Sequence, residues 1–116
     1  MKFRDFSHWK KKLRDMSRTY AVLVEGKRDL QALRRMGVSN IIPLAGKRVA
    51  EIPDLLEGKF EGAILLYDLD AHGERINRKV KELLSSQGFH TFEDFREFLR
   101  TEGIIHIEEL SGKRHG

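Results

Sequence analysis

Two hydrophobic rhythms alternate along this chain. Short unbroken apolar runs occupy residues 20–25, 40–43, 62–67 and 104–107. Each is too short for an independent helix and reads as a strand buried on both faces. Between them, apolar residues recur every three or four positions, the spacing of one helix face. Phe6, Trp9, Leu13 and Met16 mark a helix over 3–18, with Ser7 as its expected cap. Leu30 and Leu33 mark one from Lys27 to Met36, stopped by Gly37. Val49, Ile52, Leu55 and Leu56 mark a third ending near Glu57, with Pro53 required to lie in its first turn. Ile76, Val80, Leu83 and Leu84 form the inward stripe of a long helix over 73–87. Thr91-Phe-Glu-Asp94 resembles a capping box opening a last helix, with Phe92, Phe95, Phe98 and Leu99 turned inward. Ile104-Ile-His-Ile107 is then predicted as a final strand.

Strands alternating with helices imply a parallel sheet with right-handed crossovers. The expected architecture is a compact three-layer α/β fold around a mainly parallel sheet of about four strands. We divide it into a basic amphipathic helix (1–18) packed on the domain, an α/β domain (19–110; core 19–87, helix and strand 91–108) and a frayed basic tail (111–116).

The chemistry gathers where the strands stop. The third run ends in Asp68-Leu69-Asp70, followed at once by His72-Gly73-Glu74, and the first ends in Glu25-Gly26-Lys27. Open parallel sheets bind ligands at their carboxyl edge, so Glu25, Asp68 and Asp70 are expected to converge there. Two acids in that position repel unless something positive lies between them, and a hard cation is the natural candidate. A helix cap or a solvated acid explains either aspartate alone; the pair directly after a buried strand favours a cation site. Asp29, in the first turn of the second helix, is expected to play a structural or supporting part. Gly26, Gly46 and Gly73 stand in the three strand-to-helix turns, where glycine serves positive φ or close packing. Lys27, Lys47, Arg48 and Arg75 share those turns and are candidates for phosphate contacts, although a solvated face explains them equally well. His72 and Glu74 are accessory candidates. His8, His90, His106 and His115 form no metal-ligand spacing.

Composition narrows the classes. At 116 residues the chain suffices for one domain with a genuine core. It has no cysteine, hence no disulfide or thiolate metal site, and no apolar run long enough to cross a membrane. No secretory signal is evident, and a cytoplasmic location is expected. Charged residues make up 34%, with two Gln and two Asn, a balance that leans towards a thermophilic source. The net charge of +4 is uneven: residues 1–18 carry +5 and the tail +2, so the body between is negative. Basic ends on an acidic body suit a polyanion that docks through its phosphates.

Glu25-Gly26 followed later by Asp68-Leu69-Asp70-Ala71-His72-Gly73 resembles the Toprim domain of topoisomerases, bacterial primases, OLD-type nucleases and small ribosomal-RNA maturases. The resemblance covers residues 19–87 and implies a Rossmann-like fold. It also implies Mg²⁺, with Mn²⁺ as a substitute, held by Asp68 and Asp70. Glu25 would be a general acid/base or a further ligand. His72 departs from topoisomerase versions, which usually carry a third acid there; the chain leans towards primase, maturase and nuclease versions. The implied activity is metal-dependent phosphoryl transfer on nucleic acid, RNA or DNA, most simply by a small nuclease. The other reading is a non-catalytic nucleic-acid adaptor in a larger complex, with a protein partner or a second copy.

Overall fold

The computed structural model describes residues 1–112. Its elements are α1 (Phe6–Met16), β1 (Ala21–Val24), α2 (Lys27–Arg35), β2 (Ile41–Pro43), α3 (Ile52–Leu56), β3 (Gly62–Leu65), α4 (Ala71–Ser86), β4 (His90–Phe92) and α5 (Asp94–Thr101). Short 3₁₀ turns precede α3 at Val49–Glu51 and follow α5 at Ile107–Gly112. The tail residues 113–116, with Lys113, Arg114 and His115, lie outside the described residues.

The four strands form one all-parallel sheet in the order β2-β1-β3-β4. Strand order reverses between β1 and β3, the switch point where such sheets open a crevice at their carboxyl edge. Unbroken apolar runs put alternate residues into opposite layers. Val22, Val24, Ile64 and Leu66 face α1, α2 and α5 through Trp9, Leu13, Leu33, Phe95 and Leu99. Ala21, Leu23, Ala63, Leu65 and Tyr67 face α3 and α4 through Ile52, Leu56, Val80 and Leu84. The three-layer α/β architecture expected from the alternation is therefore the one observed.

Helix α1 seals the first layer. Trp9 is fully buried, and its indole N–H donates to the Phe95 carbonyl at 2.9 Å, joining the two helices directly. Pro53 falls in the first turn of α3 as required.

Three local expectations are corrected. The cap of α1 is Asp5, whose side chain accepts from the His8 amide, and not Ser7. Ile104–Ile107 is no strand: 104–106 are irregular and Ile107 opens a 3₁₀ turn. Its apolar character comes from Ile104 and Ile107, buried against the first layer. The fourth strand is β4, where a capping box had been expected. That strand is a three-residue edge bonded to β3 alone, so it needs no apolar run. Glu93 does precede α5, but its carboxylate reaches Asn77 and Lys81 across to α4 and caps nothing.

Candidate metal centre

The carboxyl ends of β1 and β3, the two central strands, carry Glu25 and the Asp68–Asp70 pair. Each aspartate divides its two oxygens. Asp68 Oδ1 accepts from the Ile107 amide at 2.9 Å, and Asp70 Oδ1 accepts from the Gly73 amide at 2.7 Å. These bonds fix both carboxylates and leave both Oδ2 atoms to face the same imidazole. His106 Nδ1 lies 3.5 Å from Asp68 Oδ2 and 3.7 Å from Asp70 Oδ2. Asp70 is thus both the cap of α4 and one wall of this cluster; the two explanations for it are compatible.

His106 is held by a backbone clip. The Leu69 amide donates to the Ile105 carbonyl at 2.7 Å, Ile107 donates to Asp68, and the Ile105 and His106 amides both donate to Glu109. Burial disfavours the His106 imidazolium, but the Asp68 hydrogen bond and the charges of Asp68, Asp70 and Glu109 together outweigh it and raise its pKa.

Glu25 lies beside this cluster. Its Oε1 is buried without a hydrogen-bond partner, and Oε2 stands 3.8 Å from His72 Nε2. Burial raises its pKa above 4.5 and the Asp68 and Asp70 charges push the same way, while His72 and the Asp68 amide oppose. The glutamate therefore holds a proton more readily than a free carboxyl. Among the described residues, the group able to hold a metal is Asp68, Asp70 and His106, with ligand atoms all within 4.8 Å of one another. A divalent cation suits these three donors, two oriented carboxylate oxygens and an imidazole nitrogen; Glu25 is not one of that group.

The remaining candidates fall into distinct surroundings. His72 is largely exposed and turns its Nε2 to Glu25. Asp29 is buried and accepts from the Gly26 amide at 3.1 Å, closing the start of α2. Burial raises its pKa, the Gly26 bond opposes, and Asp68 and Glu108 add to the rise. Glu74 turns to α5: Arg96 and Arg100 each bond its Oε1, at 2.8 and 2.7 Å. Burial alone would raise its pKa; the two guanidiniums lower it. Lys27, Lys47, Arg48 and Arg75 are exposed, and Arg48 pairs loosely with Glu51 at 3.9 Å. Gly46 has φ +86°, and a Cβ on Gly73 would overlap the Asp68 carbonyl, so both turns need glycine. At Gly26 a Cβ would meet only Asp29 Oδ2, at 3.9 Å, and nothing local demands glycine.

Two residues escaped the sequence reading. His106 is remote from the acids in sequence, and only the clip brings it over them. Arg96 is 4% exposed; its Nε donates to the Tyr67 carbonyl at 2.8 Å and its Nη2 to the Asp68 carbonyl at 2.7 Å, bracing the end of β3. Its signal was present: a charge between Phe92 and Leu99, within an apolar stripe of period 3.6.

The sequence profile of the Toprim domain matches residues 20–94, well over half of the chain. The chain belongs to the Toprim family. A solved structure, a putative protein from Aquifex aeolicus, superposes with a TM-score of 0.88 at 57% identity, covering 91% of this chain and 98% of that one. A UPF0292 protein of Pyrococcus furiosus is 33% identical over 92 residues, 77% of this chain and 70% of its own length. A UPF0292 protein of Pyrococcus abyssi is 33% identical over 94 residues, 78% and 70% respectively. The archaeal sources agree with the thermophilic lean of the composition. Toprim membership points to metal-dependent, nucleic-acid-related work. The matched span contains Glu25, Asp68 and Asp70; Arg96 and His106 fall beyond it. No helix among the described residues is long and apolar enough to cross a membrane.

Proposed function

We propose that this Toprim protein is a divalent-metal-dependent phosphoryl-transfer enzyme acting on nucleic acid, most simply a small nuclease. The observation that carries the reading is the division of labour at the carboxyl edge. Asp68 and Asp70 each turn one oriented oxygen to a common imidazole nitrogen, beside a glutamate whose pKa is raised. Asp68 and Asp70 would hold Mg²⁺ or Mn²⁺. When bound, the cation supplies charge neutralisation at a phosphate. Glu25, whose pKa burial raises above the ordinary carboxylate value, is suited to hand a proton to a leaving oxygen when protonated or to take one from an attacking water when ionised. Lys27, Lys47, Arg48 and Arg75 stand exposed on the surrounding turns, where a polyanion would meet them. Asp70 and His106 remain 38% and 48% exposed, an open site that a polymer can reach without a lid.

The test is turnover. RNA and DNA, single and double stranded, are incubated with the protein and Mg²⁺ or Mn²⁺, and products are resolved on a gel. Cleavage should require the metal and fall at least about a hundredfold in Asp68→Asn, Asp70→Asn and Glu25→Gln. Cleavage that persists unchanged in these variants refutes the reading. Binding without product, with a salt dependence set by Lys10, Lys11, Lys12 and Arg14, supports the adaptor instead.

A further inference from the structure

We infer that His106 is a metal ligand, and that its imidazole makes this centre favour a nitrogen-accepting transition metal over Mg²⁺. The inference deepens the proposed function, resting on its assignment of Asp68 and Asp70 to the metal, and adds a donor from outside the matched Toprim span.

The geometry starts from how few conformations are left to the three side chains. Each aspartate is tied by one oxygen to a backbone amide, so its second oxygen is aimed before any ion arrives. Both second oxygens point at the same nitrogen, Nδ1 of His106, at nearly equal distances of 3.5 and 3.7 Å. A residue fixed at either side cannot easily swing away. Ile107 donates to Asp68, Ile105 accepts from Leu69, and the His106 amide donates to Glu109 at 2.7 Å. Ile104 and Ile107, on either side of this stretch, are buried. The imidazole itself is half exposed and carries no packing burden, so its position over the aspartates does not arise from filling the core.

Chemistry then decides which ion is favoured. Mg²⁺ takes oxygen ligands, keeps several waters and gains little from imidazole. Cobalt and zinc bind imidazole well, and Mn²⁺ accepts both donor types more weakly, in the usual order of divalent affinities. Two carboxylates alone would suit Mg²⁺; two carboxylates with one imidazole shift the preference along that series. His72 does not belong to the group of ligand atoms that could share a metal; its Nε2 lies 3.8 Å from Glu25 Oε2.

The experiment loads the metal-free full chain with Mn²⁺ and looks for directly coordinated nitrogen by pulsed electron paramagnetic resonance. Co²⁺ and Mg²⁺ affinities are measured in parallel by calorimetry. The unmodified protein should show one nitrogen coupling, which survives in His72→Ala and disappears in His106→Ala. Co²⁺ affinity should fall about tenfold or more in His106→Ala, while Mg²⁺ affinity changes by less than about threefold. Circular dichroism confirms that the variant stays folded. Mn²⁺ binding that needs Asp68 and Asp70 but shows no nitrogen coupling overturns this inference and leaves the metal assignment standing. Mn²⁺ binding indifferent to Asp68→Asn and Asp70→Asn overturns both.

Discussion

Replacing Arg96 by methionine should unseat the end of β3 without opening a hole. Methionine keeps most of the aliphatic stem and its packing, so the change isolates the polar loss. Two carbonyls, of Tyr67 and Asp68, lose a charged donor at 2.8 and 2.7 Å. A buried acceptor left unpaired costs about 1–3 kcal/mol, giving roughly 2–6 kcal/mol for the two. Glu74 adds little, because Arg100 still bonds it and about a third of its side chain is in water. The apolar replacement returns part of the loss, and the balance falls near 3 kcal/mol. Exchanging a whole buried ion pair for apolar groups can be neutral. Here the carbonyls cannot be exchanged, so the penalty of a broken contact applies. For 116 residues, unfolding entropy is about 0.24 kcal/mol/K, and 3 kcal/mol lowers Tm by ~12 °C. Thermal and urea denaturation followed by circular dichroism read this directly. Arg96→Lys should recover only part, since one ammonium lacks the fork that spans two carbonyls. A loss below about 1 kcal/mol in Arg96→Met would show that the strand end stands without the brace, and the reasoning would be wrong.

Gly73→Ala should destabilise the protein by about 3 kcal/mol and weaken Mn²⁺ binding, because a Cβ there meets the Asp68 backbone. Gly26→Ala, in the corresponding turn after β1, should cost under about 1 kcal/mol; equal effects in urea titrations would contradict the difference in close approach. Asp29 carries a pKa raised above 3.8, so its contribution to stability is full below that value and is lost as pH rises through the folded pKa. Asp29→Asn, unable to ionise, should therefore gain on the unmodified protein between about pH 4 and pH 7. Urea midpoints that differ by a constant amount at both pH values would dispose of this account.

The sheet was legible because its strands are buried on both faces, and such strands appear as unbroken aliphatic runs. Ala21–Val24 and Gly62–Leu65 were found for that reason, and with them the carboxyl edge and its acids. His90–Phe92 was not, because an edge strand with one neighbour has no such run, and Thr91-Phe-Glu-Asp94 imitates a helix start. The opposite error at Ile104–Ile107 has a related cause. Aliphatic residues buried by a backbone clip look like a strand when only their hydrophobicity is visible. Asp68, Asp70 and Glu25 could be nominated from position alone. His106 could not, since each bond that carries it to the aspartates is donated by a backbone amide, of Leu69, Ile105, His106 or Ile107, which no side-chain pattern encodes. Arg96 was readable in principle: a guanidinium inside an aliphatic stripe must find oxygen atoms, and the carbonyls of Tyr67 and Asp68 just past β3 supply them.

The clip from Ile105 to Ile107 has a consequence for the order in which the molecule becomes competent. Glu25 and both aspartates leave the ribosome well before the segment that orients Asp68 and delivers His106. A growing polypeptide can pair its central strands while the pocket's third donor is still being translated. Premature termination ahead of residue 105 thus leaves acids without their organiser, and newborn chains assemble the full cluster only once residues 105–107 have emerged.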